Sequence, residues 1–157
     1  IIAIDANIRP LRWSSEEICR ETISSFFEDA DILKLTDEEL FFLTKTTTLE
    51  EGLAALDQLL VPIVLVTVGA NGTYAVLNGE VMHVGVEKVQ AVDTTGAGDA
   101  FMAGVLRYVH YKGLPTTPED LRKCVAFGNK LGALAATKAG ALTALPCYDD
   151  IKHLIED

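Results

Sequence analysis

The stretch Asp93-Thr94-Thr95-Gly96-Ala97-Gly98-Asp99-Ala100-Phe101 joins an extended run to a helix. Residues 84–92 before it are rich in β-branched types, and residues 100–112 after it read as a helix ended by Gly113. The two glycines therefore open a helix. In its first turn the N–H groups of Ala97, Gly98 and Asp99 are expected to lack intrahelical partners, and the helix dipole adds positive charge, so the place suits an anion. A side chain at either glycine would keep a phosphate away from the backbone, and such a turn often needs a positive φ. Asp99 stands within reach of that anion. A carboxylate so placed can accept the proton of an attacking hydroxyl while the N–H groups stabilise charge growing on a transferred group. The bland alternative is a first-turn acid that complements the dipole for about 0.3–1 kcal/mol. A dinucleotide fingerprint fails here, because Phe101 stands where its third glycine belongs and Asp99 would repel a pyrophosphate.

Outward from this stretch, strands are expected at 1–6, 32–35, 63–68, 74–77 and 81–86. Helices fill the gaps. Ser14 with Glu17 forms a capping box before 18–27, Thr48 with Glu51 another before 53–60, and Thr117 caps a long helix over 119–138. The small residues Ala126, Gly128, Gly132, Ala133 and Ala135 would let that last helix pack closely. Alternation of strand and helix gives an α/β fold with a mainly parallel sheet and right-handed crossovers. Asn78-Gly79, between two alternating runs, signals a type I′ turn and one antiparallel hairpin.

Composition narrows the function. With 157 residues, 49% of them hydrophobic, the chain can bury one core, so residues 1–157 are read as a single domain. A net charge of −10 argues against a sequence-independent grip on nucleic acid, which needs clustered Lys and Arg, and leaves a small molecule as the expected partner. Cys19, Cys124 and Cys147 are odd in number and lack metal-type spacing, which suits a reducing compartment. The longest apolar run, 61–68, is far short of the ~20 residues that span a bilayer, and no charged-then-apolar leader opens the chain, so a soluble cytoplasmic protein is expected. The opening Ile1-Ile2-Ala3-Ile4-Asp5 reads as a buried strand without methionine or leading turn, as in a chain cut inside a larger domain.

The string D-T-T-G-A-G-D-A-F-M-A-G from Asp93 to Gly104 resembles the second signature of the ribokinase-like, phosphofructokinase-B-type (PfkB) carbohydrate kinases. The likeness extends over nearly the whole chain, through Asp5-x-Asn7-x-Arg9-x-x-Arg12-Trp13, the run from Ala30 to Leu40, and Thr67-Val68-Gly69-Ala70-Asn71-Gly72, and is greatest to fructokinases. It implies a ribokinase-like three-layer αβα sandwich, of which this chain is the C-terminal, nucleotide-binding and catalytic half. It also implies ATP-dependent phosphorylation of a sugar, fructose at O6 before ribose, 2-keto-3-deoxygluconate or a nucleoside. Asp99 is then the base; Gly96, Ala97 and Gly98 form the anion hole, and Arg9 reaches the transferring phosphates. Thr67, Gly69, Gly72 and Asn129 meet the nucleotide, and Glu39 organises magnesium through water. Asp93, Thr95 and Gly140 surround a monovalent cation such as potassium, although Ala144 stands where some relatives supply a hydroxyl. A homodimer would form through a lid lying outside this chain. The rival from another class is a noncatalytic nucleotide-binding regulatory module, which would have no need of a base at Asp99.

Several of these residues also carry a structural reading. Thr36 and Glu39 form a capping box, Arg9 is spaced to pair with Asp5 or Asp31, Asn129 is simple helix polarity, and Gly69 and Gly72 are turn residues. Because Asp5, Asn7 and Arg9 alternate, an extended segment would set them on one face. His83, His110 and His153 lack metal spacing, Trp13 and Phe101 are expected to pack, and Glu50-Glu51 and Glu156-Asp157 to be solvated.

Overall fold

The computed structural model describes residues 1–151; His153 and the Glu156-Asp157 pair lie outside them. Strands β1 (Ala3–Asp5), β2 (Ile32–Thr36), β3 (Ile63–Thr67), β4 (Thr73–Leu77) and β5 (Glu80–Val84) form one sheet in the order β1-β2-β3-β4-β5. The first three run parallel, with Asp5 opposite Lys34 and Thr36 opposite Thr67. Helix α1 (Glu16–Ser25) connects β1 to β2, and α2 (Asp37–Thr44) and α3 (Leu49–Ala55) connect β2 to β3. Helices α4 (Ala97–Lys112), α5 (Pro118–Ala136) and α6 (Tyr148–Ile151) follow the sheet. The expected mixed α/β architecture is present. So is the hairpin: Asn78 (φ 49°) and Gly79 (φ 86°) both take the left-handed conformation that a type I′ turn requires.

The chain divides into two compact units, one of residues Ile1–Val68 with Tyr74–Met82, the other of Gly69–Thr73 with His83 onward. In the first, β2 and β3 are continuous apolar runs, and Leu33, Leu35 and Leu65 are wholly buried. Each such side chain contributes about 1.5–3 kcal/mol. Strand β1 departs from the expectation of a buried strand over 1–6: it is three residues long and half-buried, with Ile1 73% and Ile2 49% exposed. As the outermost strand of the five it has a neighbour on one side only. The cap of α1 also shifts by one residue, since Ser15 rather than Ser14 accepts from the Ile18 N–H. Thr48 and Thr117 cap α3 and α5 as expected, but α3 ends at Ala55 and a 3-10 turn, Leu56–Leu59, completes the segment.

The second unit is organised by α4 against α5, and the contact is backbone on backbone. A β-carbon on Gly104 would lie 2.9 Å from the Gly128 Cα, and one on Gly132 would lie 3.0 Å from the Ala97 carbonyl oxygen. Of the small residues expected to serve this packing, Gly128, Gly132 and Ala135 do so or are buried, whereas Ala126 is exposed. Around the contact, Ala100, Leu131, Ala135 and Ile151 form an apolar cluster. Gly104→Ala is expected to lower the thermal midpoint. The helix propensity gained is about 1 kcal/mol. The overpacking cost is about 1–3 kcal/mol against backbone that has no rotamer to yield. Unfolding followed by circular dichroism checks it, a raised midpoint being the contrary result.

Candidate active site

In the second unit Gly96 caps α4 with φ 81° and no side-chain hydrogen bond. Of the three N–H groups expected to be free, that of Ala97 is not, because it donates to the Thr94 carbonyl at 3.1 Å, closing a tight turn before the helix. The N–H groups of Gly98 and Asp99 donate to no other described residue. Asp99 is exposed in the first turn. The helix start thus offers two backbone donors, the positive end of a 16-residue helix and one solvent-facing carboxylate. Phe101, expected to pack, is 3% exposed and lies against Gly128.

The loop before α4 is held by Asp93. One carboxylate oxygen accepts from the Thr95 N–H and the other from the Gly140 N–H, both at 2.9 Å. Hydrogen bonds from Thr95, then from the Gly140 backbone, lower its pKa to about 2. Asp93, Thr95 and Gly140 are therefore together, as expected, but through N–H groups turned toward the carboxylate. A cation needs oxygens. These hydrogen bonds order the loop, and no step is assigned to a potassium ion.

Asn129, 7% exposed, is engaged on both sides of its amide. Its Oδ1 accepts from the Thr73 hydroxyl at 2.6 Å, and its Nδ2 donates to the carbonyls of Val84 (3.0 Å) and Gly85 (3.2 Å). Both amide donors are spent within the protein. Gly72 (φ 91°) sits in the same junction, where a β-carbon would run into the Val84 carbonyl oxygen, while Gly69 (φ 56°) has nothing within 4 Å of a β-carbon position.

In the first unit Glu39 is 8% exposed and completes the capping box with Thr36 at the start of α2. Its Oε2 accepts from the Thr36 N–H at 2.8 Å, and its Oε1 accepts from the Ile8 N–H at 2.7 Å. The carboxylate is thus a strut between the end of β2 and the segment carrying Arg9. With each oxygen already taken by an amide, Glu39 fits magnesium only through water, and no group of three or more His, Cys, Asp or Glu among the described residues could hold a metal. Arg9 is exposed, its Nη1 donating to the Ile8 carbonyl at 2.9 Å, and it has no carboxylate partner among the described residues. The two acids spaced to receive it are occupied, Asp5 by Lys34 at 3.0 Å and Asp31 by the Ile2 N–H at 2.8 Å. The alternation of Asp5, Asn7 and Arg9 is also broken, because β1 stops at Asp5 and Asn7 turns to φ 42°. Thr67 ends β3, its hydroxyl donating to the Leu35 carbonyl at 3.3 Å.

Three structural partners were missed in the sequence: Ile8 for Glu39, Thr73 for Asn129, and Lys34 for Asp5. Only Lys34 carried a signal, a charge inside the apolar run of β2.

Glu39→Gln would set an amide N–H₂ against one of two backbone donors. It is expected to cost about 1–3 kcal/mol of stability, the penalty of a buried unmet donor, measured by denaturant unfolding. The Asp93 carboxyl is expected to titrate near 2 by carbon NMR. Since its folded pKa lies below the ordinary carboxylate value, its hold on the loop is present above that value and is lost as pH falls through about 2.

The description "pfkB family carbohydrate kinase" matches residues 2–147. A fructokinase of Klebsiella pneumoniae is 40% identical over 153 residues, covering 97% of this chain and 50% of that protein. The crystal structure of a Vibrio cholerae O395 fructokinase with fructose, ADP and calcium superposes with a TM-score of 0.87 at 36% identity, over 96% of this chain and 49% of that one. An aminoimidazole riboside kinase of Salmonella enterica, complexed with the riboside and an ATP analogue, gives 0.86 at 29% identity, over 98% and 51%. The chain spans about half the length of the relatives it matches. With a match over nearly its full length, the chain belongs to the pfkB family of carbohydrate kinases.

Proposed function

We propose that the protein to which this chain belongs transfers the γ-phosphoryl group of magnesium-ATP to a sugar hydroxyl, with fructose as acceptor and fructose 6-phosphate as product. The observation that carries the proposal is the start of α4, where two N–H groups without a partner among the described residues share one helix turn with the Asp99 carboxylate. The acceptor rests on the fructokinase relatives and on the fructose bound by the Vibrio cholerae protein.

Asp99 takes the proton from the acceptor hydroxyl as its oxygen attacks phosphorus. The N–H groups of Gly98 and Asp99 receive the negative charge that spreads over the transferred oxygens, and Gly96 supplies the positive φ that turns the chain into the helix. Arg9, without a carboxylate partner among the described residues, adds a guanidinium to the phosphates. Thr67, Gly69 and Gly72 meet the nucleotide beyond the strand ends. Charge on the nucleotide phosphates is offset by the magnesium they bring, with Glu39 contributing through water.

A riboside acceptor is the second reading, favoured by the riboside kinase whose fold matches almost as well. A noncatalytic nucleotide-binding module is the third. ADP release by the full-length protein with magnesium-ATP and a panel of fructose, ribose, 2-keto-3-deoxygluconate and ribosides separates them. Asp99→Asn is expected to lower kcat with fructose by about 10²–10⁴-fold and to leave nucleotide binding intact. Nucleotide binding without acceptor-dependent turnover would favour the regulatory module, and turnover with ribosides alone would replace fructose.

A further inference from the structure

We propose that the groove between the outer faces of α4 and α5 is a second binding site, for a small phosphate ester whose body carries a ring. The site is separate from the helix start: Arg107, its anchor, lies about 12 Å along the axis of α4 from Asp99.

The groove has a volume of about 690 Å³, the size of a small-molecule pocket. Helix spacing builds its walls. Arg107, Tyr108 and Tyr111 line it from α4, and Lys123, Phe127 and Lys130 from α5, each set recurring every three or four residues along one side of its helix. Gly113 ends α4 at φ 86°, and Leu114 and Pro115 line the groove where the helices join.

Its charge is opposite to that of the chain. Four cations and one acid line the groove, whereas the chain as a whole carries 13 Lys and Arg against 23 Asp and Glu. The acid, Asp120, is engaged at the head of α5, where its Oδ2 accepts from the Thr117 hydroxyl at 2.9 Å. Lys123 pairs loosely with Glu119 at 3.6 Å, both being largely exposed. Lys112 and Lys130 have no acid partner among the described residues.

Arg107 is half-buried. Its guanidinium lies 4.9 Å from the centre of the Tyr111 ring and 5.4 Å from that of Tyr148, and its buried Nε has no hydrogen-bond acceptor among the described residues. Stacking holds the plane of the fork but satisfies none of its N–H groups, and an unmet donor on a buried charge is costly. A phosphate supplies the missing acceptors, because a guanidinium grips it through paired N–H bonds. Tyr111 and Tyr148 are each 60% exposed, so little packing opposes their yielding to a ligand beside Arg107. Four cations exceed the need of a single carboxylate and suit the nearly two charges of a phosphate ester. Tyr108, Phe127 and Leu114 add an apolar surface that a bare anion would not use and that a ring covers well.

The test uses the full-length protein in equilibrium dialysis with AMP, with fructose 6-phosphate and with inorganic phosphate, at constant ionic strength. Wild type is expected to bind at least one ester in an equivalent additional to that at the catalytic site, and more tightly than inorganic phosphate. Arg107→Gln and Lys130→Gln are each expected to weaken the additional site by about tenfold or more. Lys45→Gln, which removes an exposed charge from the first unit, is expected to leave it within about twofold. Additional binding of AMP alone would assign the site to nucleotides, and of fructose 6-phosphate alone to sugar phosphates; either supports the proposal. No additional equivalent with either ester would overturn it, as would inorganic phosphate bound as tightly as both, or equal weakening by Lys45→Gln. If Arg107→Gln does not fold, Lys130→Gln, at an exposed position, decides by the same values. An additional site in a protein without sugar kinase turnover would overturn the kinase reading and support the groove.

Discussion

Backbone groups left over where strands end must find partners, and in this chain a few side chains gather them in pairs. Glu39 takes the N–H groups of Ile8 and Thr36, Asp93 those of Thr95 and Gly140, and Asn129 the carbonyls of Val84 and Gly85. Each pair joins segments remote in sequence, or joins a loop to such a segment. An unmet buried donor costs about 1–3 kcal/mol, comparable with burying a leucine side chain. Apolar packing brings strands and helices near one another without fixing the turns between them. The polar side chains fix those turns, and the groups assigned to phosphate and nucleotide sit on them.

The two units solve the packing problem differently. In the first, branched and long side chains of β2 and β3 fill the interior, with Leu40 and Phe27 among them. Inside that interior Lys34 meets Asp5, an ion pair whose lysine is almost fully covered. A buried ammonium must be paired, and both Asp5 oxygens face it. In the second unit the helices approach so closely that a β-carbon on Gly104 would meet the Gly128 backbone, and the Phe101 and Leu131 side chains pack against the two glycines.

Much of this was legible in the sequence, and the reasons are local. Asn78-Gly79 fixes its own turn because few residues accept two positive φ angles in succession. The apolar runs of β2 and β3, the caps at Thr48 and Thr117 and the helix start at Gly96 are likewise short-range consequences of residue type. What could not be read depends on distant neighbours. The pairing of the Ala97 N–H with Thr94 needs the exact course of the loop, and spacing alone had left that donor free. For Glu39 and Asn129 the sequence held two readings, and hydrogen bonds to residues far along the chain now give each a definite structural part.

At the junction of Gly104 with Gly128 backbone meets backbone, with the Phe101 and Leu131 side chains beside it. A joint of that kind behaves as a weld rather than a hinge, because backbone at the closest point of contact has no rotamer to exchange.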